Sequence, residues 1–395
     1  MLTLLLAFQA AAAPHDALRY DVTLVPSDTG SHLLGEVETT WRLATADPVT
    51  VQLDSSMRVV RVLIDGRPNT RLSRTMYGRS EDDLLVPHQK RAGDSITTRV
   101  RYHGFARVGA RVGKNGQGEP SFYASGAGAR YWLPVPESTA LEYTLAGFRI
   151  QAPVSHRAIA PGRLIRVDTL PYGDAAWVYR LDVPVPIASL SVATGPYRVR
   201  ALAGSCGAGC SGVELWSYGT GPGEPGGFER ASSLVEFMAA RVGPYPFGRL
   251  AHVEAPVDQV VDGPGMIFYP EGSLAGGGPA PSALGQAAAR QWFGVAVVPA
   301  SPQEGWITQG LARYLQELWS DPSGQGFAAP ASTGPEPDLL TARRLQQLRT
   351  AVGDSAFFGG LRRVVELHRE RPVTHASLMR AMSEVAGREL ELTRP

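Results

Sequence analysis

The sequence predicts an α+β protein: an N-terminal antiparallel β domain, built as a sandwich or saddle-shaped sheet, followed by a smaller domain that carries the helices. Three observations lead there. Apolar residues recur with a period of two from Tyr20 to about Tyr197, the repeat of strands with one buried face. A helical period takes over at Phe228. The 44 glycines and 31 prolines among 395 residues fit the many turns of a β-rich half. A chain of this length accommodates two domains, each with its own core.

Residues 1–13, MLTLLLAFQAAAA, are a short apolar run followed by small residues. They read as an export signal, too short to cross a bilayer as a helix; a mis-called start codon or a truncated signal is the alternative. The mature chain is therefore expected outside the cytoplasm, periplasmic or secreted. Residues 14–218 form the predicted β domain. Val37, Thr39, Trp41 and Leu43 alternate with polar neighbours, as do Val49, Val51 and Leu53, and Ile96, Thr98, Val100 and Tyr102. Asp65-Gly66 after VVRVLI is a hairpin signal. Gly195 to Gly227 is a Gly/Pro-rich hinge with one strand-like run, VELWSY. It holds the only cysteines, Cys206 and Cys210. An exported chain could close them into a small disulfide loop; two inert thiols are the alternative.

Residues 219–395 form the second predicted domain. A helix begins at Phe228, puts Leu234, Phe237, Met238 and Val242 on one side, and ends at Gly243-Pro244. Gly276-Gly277-Gly278 links to the next helix, N-capped by Ser282, running to Phe293 and stopped by Gly294. In the helix after it, Ile307, Leu311, Leu315, Leu318 and Trp319 form an apolar stripe, with Gln309 off that stripe. DPSGQGFAAPASTGPEPD reads as a loop. Two tail helices follow, capped by Asp354 and Thr374, with core stripes Phe358, Leu361, Val365 and Leu378, Met382, Val385, and Gly387 behind the last.

The central helix pair resembles the core of the aminopeptidase N family of zinc metallopeptidases. That family carries H-E-x-x-H immediately before Q-W-F-G, then a helix reading W-x-x-E-G-x-A-x-Y. Here stand Gln291, Trp292, Phe293 and Gly294, then Trp306, Gly310, Ala312, Arg313 and Tyr314. Tyr245-Pro246-Phe247-Gly248 matches the family's Y-P-F-G. RYDVTLVPSDTGSHLLGEVETTWRL and PVPIASLSVATGPY resemble the strands that open and close its N-terminal domain. RYWLPVPESTALEYTLAGFRIQAP is similar to a further stretch, with Val135 and Pro136 where an acidic residue is expected. The resemblance covers nearly the whole mature chain. It implies a β domain packed on a shortened thermolysin-like (gluzincin) domain, without the family's further helical domain.

The chemistry departs from the family. Counting back from Gln291, the two histidine positions hold Gln286 and Arg290, and the general-base position holds Ala287. The third-ligand position holds Gln309. VDQVVDGPGMIFYPEG resembles the family's G-A-M-E-N-P-G strand, whose glutamate binds a peptide's free α-amine. Its glutamate position holds Asp262 and its preceding glycine position holds Gln259. Glutamine is a poor neutral ligand, and a guanidinium has no lone pair to donate. Arg290 is expected to fill the vacated place, bonding to Gln309 or pairing with Asp262. A solvated turn aspartate and an outward-snorkelling arginine are the bland alternatives. The position of the family's oxyanion tyrosine falls near Asp338, and no tyrosine follows Tyr314.

The formal net charge of +1 argues against nucleic acid or an anionic membrane as partner. No later segment is apolar enough for a transmembrane helix. No histidine occurs between His252 and His368, and no G-x-S-x-G is present. Three readings remain. The first is a catalytically inactive peptidase homologue without zinc or other cofactor, binding a peptide end or a partner protein through Asp262, Gln259 and Arg290. The second is a structural or assembly subunit beside an active paralogue. The third is a working metallo-aminopeptidase with a non-standard site.

Overall fold

The computed structural model describes residues 15–27, 32–68, 83–105, 110–115, 118–136, 142–218, 227–274, 278–322, 327 and 337–392. Residues 1–13, with the expected export signal, lie outside them, as do Gly276, Gly277 and most of the stretch between 323 and 336.

The N-terminal half runs through β1 (His15–Pro26), β2 (His32–Leu43), β3 (Val49–Gln52), β4 (Met57–Ile64), β5 (Arg67–Pro68), β6 (Asp83–Val86) and β7 (Ser95–Phe105). It continues through β8 (Ala110–Lys114), β9 (Pro120–Ser125), β10 (Tyr143–Pro153), β11 (Arg157–Ile159), β12 (Arg163–Thr169), β13 (Asp174–Pro186) and β14 (Ser191–Gly195). Eight strands form one sheet in the order β12-β13-β10-β1-β2-β7-β4-β5, and β11-β14-β9-β8 form a second. The alternation read from the sequence is the buried face: Val37, Trp41, Leu43, Ile96, Val100 and Tyr102 are all at most 2% exposed. Thr39 and Thr98 are buried with them, and Thr98 accepts a 2.8 Å hydrogen bond from the Trp41 indole. Asp65 and Gly66 both take positive φ between β4 and β5, the turn of a tight hairpin. The sheet is not wholly antiparallel, because β1 and β10 pair in parallel.

The second half contains β15 (Arg198–Leu202), β16 (Cys210–Ser217), α1 (Ala231–Val242), β17 (Gly248–Ala255), β18 (Val261–Gly263) and β19 (Met266–Pro270). Then come α2 (Pro281–Arg290), α3 (Gly305–Ser320), α4 (Pro337–Val352), α5 (Asp354–Leu367) and α6 (His375–Ala386). One five-stranded sheet, β15-β16-β17-β19-β18, joins strands on both sides of residue 218. Helices pack in succession, α2 on α3, α3 on α4 and α5 on α6, with α1 against α5. No helix among the described residues is long and apolar enough to cross a membrane.

A core of its own joins the two halves. Tyr123 of β9, Ile159 of β11 and Ala193 of β14 pack with Tyr197, Trp216, Tyr218, Val253, Met266 and Phe268. The rings of Tyr197 and Tyr218 stack at 4.8 Å, and Tyr197 donates to the Glu254 backbone carbonyl at 2.8 Å.

The helix boundaries differ from the sequence reading in instructive ways. Ser282 is not the cap of α2. Pro281 is its first residue after Ala280, a position where a missing N–H is harmless. The regular helix ends at Arg290, and Gly294 leaves it at φ +148°. Asp354 is the first residue of α5, behind Gly353, and its carboxylate instead binds Arg349 at 2.7 and 2.8 Å. Thr374 does cap α6, in a reciprocal box with Ser377. Val385 is 41% exposed, lying at the rim of α6 over Gly359. Helix α4 begins within the stretch read as loop. It fits because Gly310 of α3 lacks a side chain: a Cβ there would meet Thr341 at 2.2 Å.

Cys206 and Cys210 are joined, with Cα atoms 5.6 Å apart. Closing so short a loop restricts the unfolded chain only modestly. Replacing both by serine should lower stability by roughly 2 kcal/mol in urea unfolding; an unchanged midpoint would show that the bond constrains nothing.

Candidate functional site

Helix α2 presents Gln286 and Arg290 one turn apart on the same face. Ala287 between them is fully buried. The residue after the helix, Gln291, anchors this arrangement. It is fully buried, and its amide uses every donor and acceptor it has. Its Oε1 accepts from the Gly265 N–H at 3.0 Å and the Tyr245 hydroxyl at 3.1 Å. Its Nε2 donates to the Gly263 carbonyl at 3.2 Å and the Met266 carbonyl at 3.3 Å. One side chain thus ties the end of α2 to the β18–β19 turn and to the Tyr-Pro-Phe-Gly segment. Gly265 sits in that turn at φ +75°, where a Cβ would meet the Arg249 carbonyl at 2.8 Å. Trp292 seals the junction, its indole N–H lying 3.0 Å from the Gly243 carbonyl and its ring edge-on to Tyr245.

With the turn fixed, Asp262 of β18 faces Arg290. The Arg290 Nε donates to Asp262 Oδ2 in an ion pair whose side chains are 27% and 16% exposed. Arg290 also stands in the last turn of α2, where the helix dipole favours a cation. Burial pushes the Asp262 carboxyl above the usual carboxylate range, against the downward pull of Arg290. Its second oxygen, Oδ1, is buried with no hydrogen-bond partner.

The two other polar positions singled out in the sequence lie apart from this pair. Gln309 is exposed on α3, and Gln259 is exposed ahead of β18. Of the two partners expected for Arg290, the structure supplies Asp262. Asp338, the weak match to an oxyanion tyrosine, lies in the first turn of α4.

Sequence reasoning missed the aromatic surround. Tyr269 is buried, and its phenol feels the charges of both Asp262 and Arg290. Tyr123 comes from β9 of the other half and packs edge-on to Phe268 at 4.9 Å. Burial pushes its phenol up to about 12 against hydrogen bonding with Ser125 and Ser191, and the Asp262 charge adds a smaller upward push. His252 is wholly buried, its Nδ1 2.9 Å from the Tyr269 hydroxyl and its Nε2 unbonded. Burial depresses its pKa from 6.5 to about 3. No local pattern reveals Tyr123; only the packing of the halves brings it here.

Among the described residues, no group of three or more His, Cys, Asp or Glu side chains is placed to hold a metal ion.

Comparison with solved structures finds this architecture in M1 zinc metallopeptidases. One from Deinococcus radiodurans has a TM-score of 0.77 at 22% identity, covering 95% of this chain and 91% of that one. A point mutant from the same organism, bound to a Tyr-Ser-Ala substrate, gives 0.77 at 23%, covering 95% and 92%. A two-domain M1 zinc metallopeptidase mutant bound to L-arginine gives 0.75 at 23%, covering 97% and 95%. At these identities the likeness establishes the fold. No protein-family model matches the chain, and no curated protein does.

Two outcomes follow from the geometry. Gln291→Leu keeps the volume but takes the acceptor from the buried Gly265 N–H and Tyr245 hydroxyl and a donor from each of the Gly263 and Met266 carbonyls. Urea unfolding should show a loss of at least about 3 kcal/mol. The neutral, buried His252 favours the folded state less as acid is added. Its contribution is complete above pH 6.5 and is lost as pH falls toward about 3. Plots of stability against pH should therefore be flatter over that window for His252→Gln than for the parent chain.

Proposed function

We propose that this chain is a catalytically inactive relative of the zinc aminopeptidases, acting outside the cytoplasm by binding a peptide end in the cleft between α2 and β18. The observation that carries the reading is the Arg290–Asp262 ion pair. The fold family implies a zinc ion held on this helix face. The residues present do not fit one. Arg290 is a fixed cation with no lone pair and is committed to Asp262, Gln286 is neutral, and Ala287 cannot take a proton from water. A divalent ion within a few ångströms of the guanidinium would meet a repulsion of roughly several kcal/mol at intermediate dielectric.

The same pair supports binding. Asp262 Oδ1 is an acceptor withdrawn from water and left without a donor, a state that costs free energy until a donor arrives. A peptide's terminal ammonium group would supply one. A metallopeptidase of this fold has been seen with a Tyr-Ser-Ala peptide bound, which is consistent with a peptide-shaped cleft. Arg290 holds the other oxygen and limits the field that an incoming cation meets, so binding should be selective more than tight.

Purified protein should contain far less than stoichiometric zinc and should not hydrolyse aminoacyl chromogenic substrates in a chelator-sensitive way. Stoichiometric metal with chelator-sensitive turnover would sink the proposal. Peptides with a free amino terminus should bind better than their acetylated forms, and Asp262→Asn should erase at least about tenfold of that preference. If the variant leaves peptide binding untouched, the chain is better read as a structural or assembly subunit.

A further inference from the structure

A cavity lies at the junction of the large N-terminal sheet and the five-stranded sheet, away from Asp262 and Arg290. Its volume is about 500 Å³, within the range of small-molecule sites. Leu164 of β12, Tyr179 of β13, Trp216 of β16 and Phe247 ahead of β17 give it apolar walls. Leu164 is 43% exposed, so the cavity opens to solvent beside it.

Its charged lining is unequal. Arg249 of β17 and Arg163 of β12 contribute cations, and Glu214 of β16 contributes the anion. The Arg249 side chain is only 12% exposed. Its Nη2 donates to the Ala160 carbonyl at 3.1 Å, while its Nη1 is buried with no hydrogen bond. The nearest acid, Glu214, holds its Oε2 at 3.6 Å, beyond hydrogen-bond distance, and already accepts from the Trp216 indole at 2.8 Å. Arg163, at the mouth, is 72% exposed and lies 3.9 Å from Asp182. A guanidinium offers five donors in a planar fork suited to a carboxylate. Here that fork stands beside apolar walls, ion-paired with Glu214 but with its Nη1 free of any hydrogen bond.

We infer that this cavity is a binding site for a small monocarboxylate with an aromatic or branched apolar body, its carboxylate on Arg249 and its body against Tyr179, Trp216 and Phe247. The inference is independent of the function proposed for the cleft, since the cavity shares no residue with the Asp262–Arg290 pair.

The test titrates the full chain with N-acetyl-L-phenylalanine, its uncharged amide and phenethylamine, followed by calorimetry. The acid should saturate with a Kd at or below about 1 mM. The amide and the amine should bind at least about tenfold more weakly. Arg249→Met should abolish binding of the acid. Should that variant fail to fold, Leu164→Glu at the exposed mouth still decides: it should leave thermal unfolding unchanged and weaken the acid at least about fivefold. Equal binding of acid and amide, preference for the amine, no saturation by the acid, or indifference to Leu164→Glu would each overturn the assignment.

Discussion

The saturated amide of Gln291 is the constraint on which the candidate site depends. A neutral polar group is tolerable at zero exposure only when its bonding capacity is filled. Here it is filled by two separate pieces of chain: the Tyr245 hydroxyl on one, and the Gly265 N–H with the carbonyls of Gly263 and Met266 on the other. Because the partners are mostly backbone, the amide positions the path of the chain and not merely its side chains. The end of α2, the β18–β19 turn and the start of β17 are brought into one register. Arg290 precedes Gln291 and Asp262 precedes Gly263, so the ion pair inherits its geometry from the anchor.

That inheritance shapes the electrostatics. Arg290 and Asp262 meet at a place only partly open to water, where removing charges from solvent is costly and mutual attraction offsets that cost incompletely. The raised Asp262 carboxyl reports the imbalance. The buried phenols of Tyr123, Tyr245 and Tyr269 feel the Asp262 charge, and a neutral His252 lies against Tyr269. Nothing polar enough to replace water reaches the second carboxylate oxygen. One carboxylate oxygen is thus paired and the other is left without a donor.

What could be read in advance follows from how local each signal is. The alternation of Val37, Trp41 and Tyr102 and the stripe of Ile307, Leu311 and Leu315 are near-neighbour patterns, and all are buried as the period requires. Arg290 and Asp262 were placed by the short motifs flanking them, Gln-Trp-Phe-Gly and Pro-Gly, which fix register within a few residues. Gln291 was legible as a motif letter, but its four bonds were not, because their partners come from two distant segments. Tyr123 reaches the site only through the packing of the two halves. The parallel pairing of β1 with β10 is likewise long-range, and alternation alone carries no strand direction. The misplaced caps at Ser282 and Asp354 show a different limit. Side chains that could cap lost to a proline and a glycine whose backbone preferences suit those positions better.

The core shared by β9, β11, β14 and the five-stranded sheet bears on how far the two halves can part. Interfaces between halves of a chain usually slide unless they are broad and apolar. This one interlocks stacked tyrosines, a tryptophan and a phenylalanine with a phenol bonded to the opposing backbone. Such a seam resists the clamshell motion by which many two-lobed proteins swallow their cargo. The two halves are therefore locked edge to edge, and parting them would expose every one of these rings to water.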